Sequence, residues 1–211
     1  RTTDMKRLFA VFAFAVVNLG VMAKGGVGQV KSPDGTVTVS IECDGVLTIS
    51  ASQDGVVVLS PSEIGIATAD GKTPLKVKKT EKSSTDRTIA MPVYKRKEVR
   101  DHYNELRLTL SNGFRLDVRA YDDGIAYRFV NIQKGKQRII NEEVAHYNFA
   151  GNYKAFVPYV NDNRGGERYC YSFESYYDEQ SLSEMFADSI ATTPLAVCLP
   201  QGKKAVILEI A

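Results

Sequence analysis

A chain of 211 residues with 44% hydrophobic and 25% charged residues has the composition of a folded globular protein and excludes intrinsic disorder. Its 27 Lys and Arg against 25 Asp and Glu leave a formal net charge of +2, too weak a field to argue for a nucleic-acid partner. Cys43, Cys170 and Cys198 allow at most one internal bridge, and with only His102 and His146 and no C-x-x-C spacing they argue against a structural zinc site.

The amino terminus carries an export signature. Met5 is followed by Lys6, Arg7 and an apolar run over residues 8–23, with Val21 and Ala23 placed as signal peptidase requires. Residues 1–23 are therefore expected to comprise a few upstream residues and a secretory signal peptide. The run is short for a membrane span, which needs about 20 apolar residues. No cysteine follows the cleavage point to carry a lipid anchor. The mature chain, from about Lys24, is expected to be exported, periplasmic or secreted, and free of the membrane once the signal is removed.

From Gln29 onward short alternating segments are separated by turn residues. "SPDGTVTVSIE" opens on a turn and places Val37, Val39 and Ile41 on one face. Asp44-Gly45 and Asp54-Gly55 then reverse the chain into "VLTISAS" and "VVVLS", the pattern of a β-meander. "SEIGIAT" and "PLKVKKTEK" continue it. Asn112-Gly113 joins Leu106, Leu108 and Leu110 to Phe114, Leu116 and Val118. The basic runs "LKVKKTEK" and "YKRKEVR" are expected on solvated strand edges or hairpin tips.

In "RAYDDGIAYRF", Ala120 ends one alternating run and Ala126 begins the next. Asp122, Asp123 and Gly124 thus fall at a hairpin bend, where Asp and Gly tolerate left-handed backbone angles. An EF-hand calcium loop would need alternating oxygen ligands where the sequence turns apolar, and a glycosidase pair would need carboxylates facing each other across a substrate. A helix is expected only over "EQSLSEMFADS", with Ser181 and Glu184 spaced as a capping box, followed by two strands around Gln201-Gly202. Many short strands and no nucleotide-binding glycine loop predict an all-β protein, a large antiparallel β-sandwich.

Seven of the eleven tyrosines lie between positions 147 and 177, interleaved with Phe149, Phe156 and Phe173. Such side chains suit sugar stacking, protein interfaces and cores alike. Asp162, Glu167, Glu174, Asp178 and Glu179 share the region with only Arg164 and Arg168 in "NDNRGGERYCYSFESYYDEQ". That excess is compatible with a hard-cation site and equally with a solvated loop.

"SPDG", "YNELRLTL", "RAYDDGIAYRF", "NEEVAHYNF" and "YSFESYY" occur in the order and at roughly the spacing seen in the amino-terminal domain of glycoside hydrolase family 97. The chain over 24–211 resembles that domain of the exported Bacteroidetes α-glucosidases and α-galactosidases. The resemblance implies a β-super-sandwich like that of galactose mutarotases, packed against a catalytic (β/α)8 barrel that acts on α-linked oligosaccharides. In the family both catalytic carboxylates come from the barrel, so no catalytic residue is expected in this chain and the isolated chain is expected to lack glycosidase activity. The resemblance also implies calcium, bound in part by one sandwich glutamate in a Tyr/Phe-Glu-x-x-Tyr segment. Here that segment is Phe173-Glu174-Ser175-Tyr176-Tyr177, with Phe173 in place of the usual Tyr, which makes Glu174 the expected metal ligand. The other readings are a free-standing exported carbohydrate-binding or scaffold sandwich, and a mutarotase-like enzyme for which neither His102 nor His146 has an evident acid partner.

Overall fold

The computed structural model describes residues 26–69, 74–160 and 176–209. The strands are β1 (Gly26–Lys31), β2 (Val37–Cys43), β3 (Leu47–Gln53), β4 (Val56–Thr68), β5 (Val77–Ala90), β6 (Glu98–Leu110), β7 (Phe114–Tyr121), β8 (Gly124–Asn131), β9 (Ile140–Ala145), β10 (Lys154–Val157), β11 (Asp178–Ser181), β12 (Leu195–Cys198) and β13 (Lys204–Ile207). Every pairing among them is antiparallel.

Period-two patterning decides which side of each strand is buried. On β2, Val37, Val39 and Ile41 are buried while Thr38 and Ser40 are not, and β3 answers with Leu47, Ile49 and Ala51. Asp54 and Gly55 both take positive φ, 50° and 78°, as the tight β3–β4 reversal requires. The five-stranded sheet runs β1-β2-β3-β4-β9 and the four-stranded sheet β5-β6-β7-β8. They face each other across one core, where Val39, Ile41, Leu47, Ile49 and Ile64 meet Leu106, Leu108, Leu116 and Val118, all at most 1% exposed. Each such side chain contributes roughly 1.5–3 kcal/mol relative to exposure. The expected all-β sandwich is the observed fold.

The hairpins fall where the turn residues put them, and residues 122–124 do form the β7–β8 bend. The two basic runs lie along β5, which is exposed almost throughout, and at the β5–β6 tip over residues 91–97. β5 and β6 project as an arm. Pairing of β6 with β7 begins only at Asn104–Ala120, whereas its pairing with β5 extends back to Glu98.

Two features depart from the expected pattern. A third sheet, ordered β11-β10-β12-β13, carries its own small core of Ala155, Val157, Tyr159, Val197 and Leu199. Strand β4 serves both cores, Leu59 entering the sandwich and Val58 the third sheet. The expected helix over residues 179–189 is not formed. β11 is followed by a single 3₁₀ turn, Leu182–Glu184, with the capping box in place and Glu184 Oε2 accepting from Ser181 N–H at 2.9 Å. Propagation stops because Phe186 N–H donates to the Tyr159 hydroxyl at 3.0 Å instead of to a helical carbonyl.

Candidate functional site

Glu174, Phe173 and Ser175 lie outside the described residues, as do Asp162, Glu167, Arg164 and Arg168. Of the acidic groups expected nearby, Glu179 pairs with Lys154 across β10 and β11, both on the surface. Among the described residues, no three His, Cys, Asp or Glu side chains meet as a metal site. Calcium takes six to eight oxygens and one carboxylate gives at most two. The described residues therefore do not by themselves hold a calcium shell.

Tyr169 and Tyr171 lie outside the described residues, and the described members of the tyrosine-rich region separate into structural and surface side chains. Tyr147 shares a hydroxyl–hydroxyl hydrogen bond of 2.9 Å with Tyr127 at the sandwich core, and burial pushes the Tyr127 phenol up from its ordinary value. Tyr159 is 4% exposed, its hydroxyl contacted by Gln180 Nε2 and Phe186 N–H. Phe149 and Tyr153 pack on the third sheet's core. Tyr176 and Tyr177 are exposed.

At the β7–β8 bend, Asp122 serves the fold. Its Oδ1 accepts from Asp34 N–H, and its Oδ2 stands 4.0 Å from His102 Nδ1. His146 lies elsewhere, its backbone N–H bonded to Glu63 O. His102 thus has an acidic neighbour that its sequence context did not show. Cys43 and Cys198 are free thiols, and burial pushes the Cys43 thiol up.

The outer face of β6, β7 and β8 holds two carboxylates that alternation alone would leave in solvent. Glu105 and Asp117 are 1% and 2% exposed. Arg119 Nε donates to Glu105 at 2.9 Å, with Arg107 on its other oxygen. Arg115 and Arg128 donate to Asp117 at 2.9 and 3.1 Å. Burial pushes the Asp117 carboxyl up, but the bonds from Arg115 and Arg128 outweigh it and hold it below its ordinary value. Arg119 also lies 4.2 Å over the Tyr103 ring. Register across β6 and β7 assembles this network, pairing Arg107 with Asp117 and Glu105 with Arg119.

Two open clefts of about 460 and 450 Å³ run along the seam of β1 and β5. The first is lined by no carboxylate and the second only by Glu105, whose oxygens are already engaged. Neither offers the opposed acid pair that glycoside hydrolysis needs.

The sequence profile described as Glycosyl-hydrolase 97 N-terminal matches residues 30–211. The chain belongs to this family. The retaining alpha-galactosidase of Bacteroides thetaiotaomicron is 37% identical over 137 residues, which are 64% of this chain and 20% of that protein. A glycoside hydrolase family 97 enzyme from Pseudoalteromonas sp. strain K8, solved in complex with acarbose, superposes with a TM-score of 0.65 at 22% identity over 82% of this chain and 27% of its own. A beta-arabinopyranosidase structure gives a TM-score of 0.70 at 21% identity, covering 85% of this chain and 31% of its own. The two structures establish likeness of fold. The chain spans between a fifth and a third of these relatives' lengths.

Proposed function

We propose that this family 97 sandwich is the non-catalytic amino-terminal domain of an exported, calcium-dependent α-glycosidase acting on α-linked oligosaccharides. It packs on a catalytic (β/α)8 barrel in the rest of the full-length protein, shapes the active-site rim and supplies Glu174 to the calcium ion. The observation that carries the reading is the family match over residues 30–211, together with relatives of which the matched part covers only 20 to 31%. Bound calcium would act as a Lewis acid beside the substrate; this chain's part is to present one carboxylate and hold it in place. The test is hydrolysis of aryl α-glucosides and α-galactosides by the full-length protein and by the 211-residue chain. The full-length protein is expected to cleave one class and the chain neither; an inactive full-length protein that holds no calcium removes the reading.

A further inference from the structure

Strand β5 is an edge strand: β6 pairs along one side of it and, among the described residues, no strand pairs along the other. From Lys78 to Ala90 every residue except Thr85 is exposed, so the free side is open to solvent. Both seam clefts run along it, one lined by Lys78, Lys79 and Thr80, the other by Lys82, Ser83 and Ser84. Such an edge is a row of unpaired N–H and C=O groups, which sheets commonly guard with charges that repel an identical strand. The charges of β5 do the opposite. Laid antiparallel against itself about Ser84, the segment from Thr80 to Thr88 sets Lys82 against Asp86 and Glu81 against Arg87, with Ser83 opposite Thr85 and Thr80 opposite Thr88. Neighbouring two-fold registers lose this match. An axis at Ser83 sets Lys79 against Arg87, axes at Lys82 or Asp86 set each of those charges against itself, and an axis at Thr85 makes neither ion pair.

We propose that β5 is a self-association edge, pairing antiparallel with β5 of a second copy about a two-fold axis at Ser84 and joining the four-stranded sheets of the two molecules into one continuous sheet. Any extended chain can bond to a free edge through its backbone. An identical strand in this register also answers all four charges at once, as an isologous contact requires. Alternation distributes the matches over both faces. Glu81 and Arg87 share a face with their β6 partners Arg107 and Asp101, while Lys82 and Asp86 lie on the other face, opposite Leu106 and His102. The new pairs extend those already made within each copy, Lys79 with Glu81, Arg87 with Asp101 and Asp86 with Arg100, so that charge alternates in sign across the junction.

Sedimentation equilibrium of the full-length protein tests this. A dimer is expected, which Lys82→Asp weakens about ten-fold by facing Asp86 with a like charge, and which the double exchange Lys82→Asp with Asp86→Lys restores. A protein still monomeric at about 1 mM overturns the proposal. So does a dimer indifferent to Lys82→Asp, or one that the double exchange fails to regain. Register is read by cross-linking, with Cys43, Cys170 and Cys198 replaced by Ser. Ser84→Cys is expected to form an intermolecular disulfide at least about ten-fold faster than Thr88→Cys, because position 84 meets itself across the axis at cross-strand distance while position 88 meets position 80. Equal rates at the two positions overturn the register, and with it the self-complementary edge.

Discussion

Asp122 Oδ1 accepts a hydrogen bond from the backbone N–H of Asp34 at 3.0 Å, fastening the β7–β8 bend to the β1–β2 turn 88 residues earlier. Asp34 is itself held in its turn by the Ser32 hydroxyl at 2.6 Å and by Thr36 N–H at 2.9 Å. The two sheets of the sandwich are thereby tied at one end by polar groups as well as by the core between them. The Asp-Asp-Gly bend is a structural fastening, and Asp122→Ala is expected to cost about 1 kcal/mol in denaturant unfolding, the net worth of one hydrogen bond. An unchanged midpoint would show that the contact contributes nothing.

The Ser32 hydroxyl, followed by Thr36 N–H, lowers the Asp34 carboxyl to about 2. A carboxylate whose folded value is depressed contributes stability that is present above its unfolded value, about 3.9, and is lost as pH falls toward the folded one. Wild-type stability should therefore decline between about pH 4 and pH 2 more steeply than that of Asp34→Asn, which has nothing to titrate there. Parallel acid-unfolding curves for the two proteins would contradict this.

Asp117 and Glu105 are buried carboxylates on a face that alternation assigns to solvent. Replacing Asp117 by Asn removes the charge that Arg115 and Arg128 are arranged around and leaves their guanidiniums facing a neutral amide. Because both arginines keep partial access to water, the loss should be near 2–3 kcal/mol, below that of a fully enclosed pair. Chemical denaturation at pH 7 measures it. A loss under about 0.5 kcal/mol would class the network with ordinary surface ion pairs.

Leu108, without exposed surface in the core between the sheets, should lose about 2–5 kcal/mol as Leu108→Ala. Val93, 94% exposed at the β5–β6 tip, should change stability by less than about 0.5 kcal/mol as Val93→Ala. Comparable losses at the two sites would mean that the arm tip is packed in solution.

Glu174→Gln in the full-length protein is expected to weaken calcium affinity and to lower activity in a manner that excess calcium partly restores. Calcium titration of the two proteins checks it, and identical affinities with identical rates would remove Glu174 from the metal site. The 211-residue chain alone should bind calcium weakly, because one carboxylate supplies too few oxygens.

The sandwich is legible in the sequence because its signals are local. Val39, Ile41, Leu116 and Val118 alternate with polar neighbours, and Asp54-Gly55 and Asn112-Gly113 mark reversals whichever partner strand follows. The third sheet is legible only in its last hairpin, the two strands around Gln201-Gly202, since Lys154–Val157 is too short to show a period and pairs with strands far along the chain. The helix expected over residues 179–189 has good local spacing, and only tertiary contact with Tyr159 diverts the Phe186 N–H. Burial of Glu105 and Asp117 depends on register with Arg119 and Arg128, which no single strand records. Glu174 rests on a resemblance of words in the sequence, because its neighbours alone read as well as a solvated loop.

The order β1-β2-β3-β4-β9 sets a sequence of assembly. β5 to β8 are successive hairpins whose partners are never far along the chain, so that sheet can close from nearby pairings. β4 must wait, since Ile64 is completed by Ala145 and Ile66 by Glu143, with the whole second sheet lying between them in sequence. Until β9 arrives, β4 presents an open row of backbone donors and acceptors beside Ile64 and Ile66. A nascent or truncated chain that stops before residue 140 is left with an adhesive border, and the region most exposed to mispairing between molecules is the one the finished fold covers last.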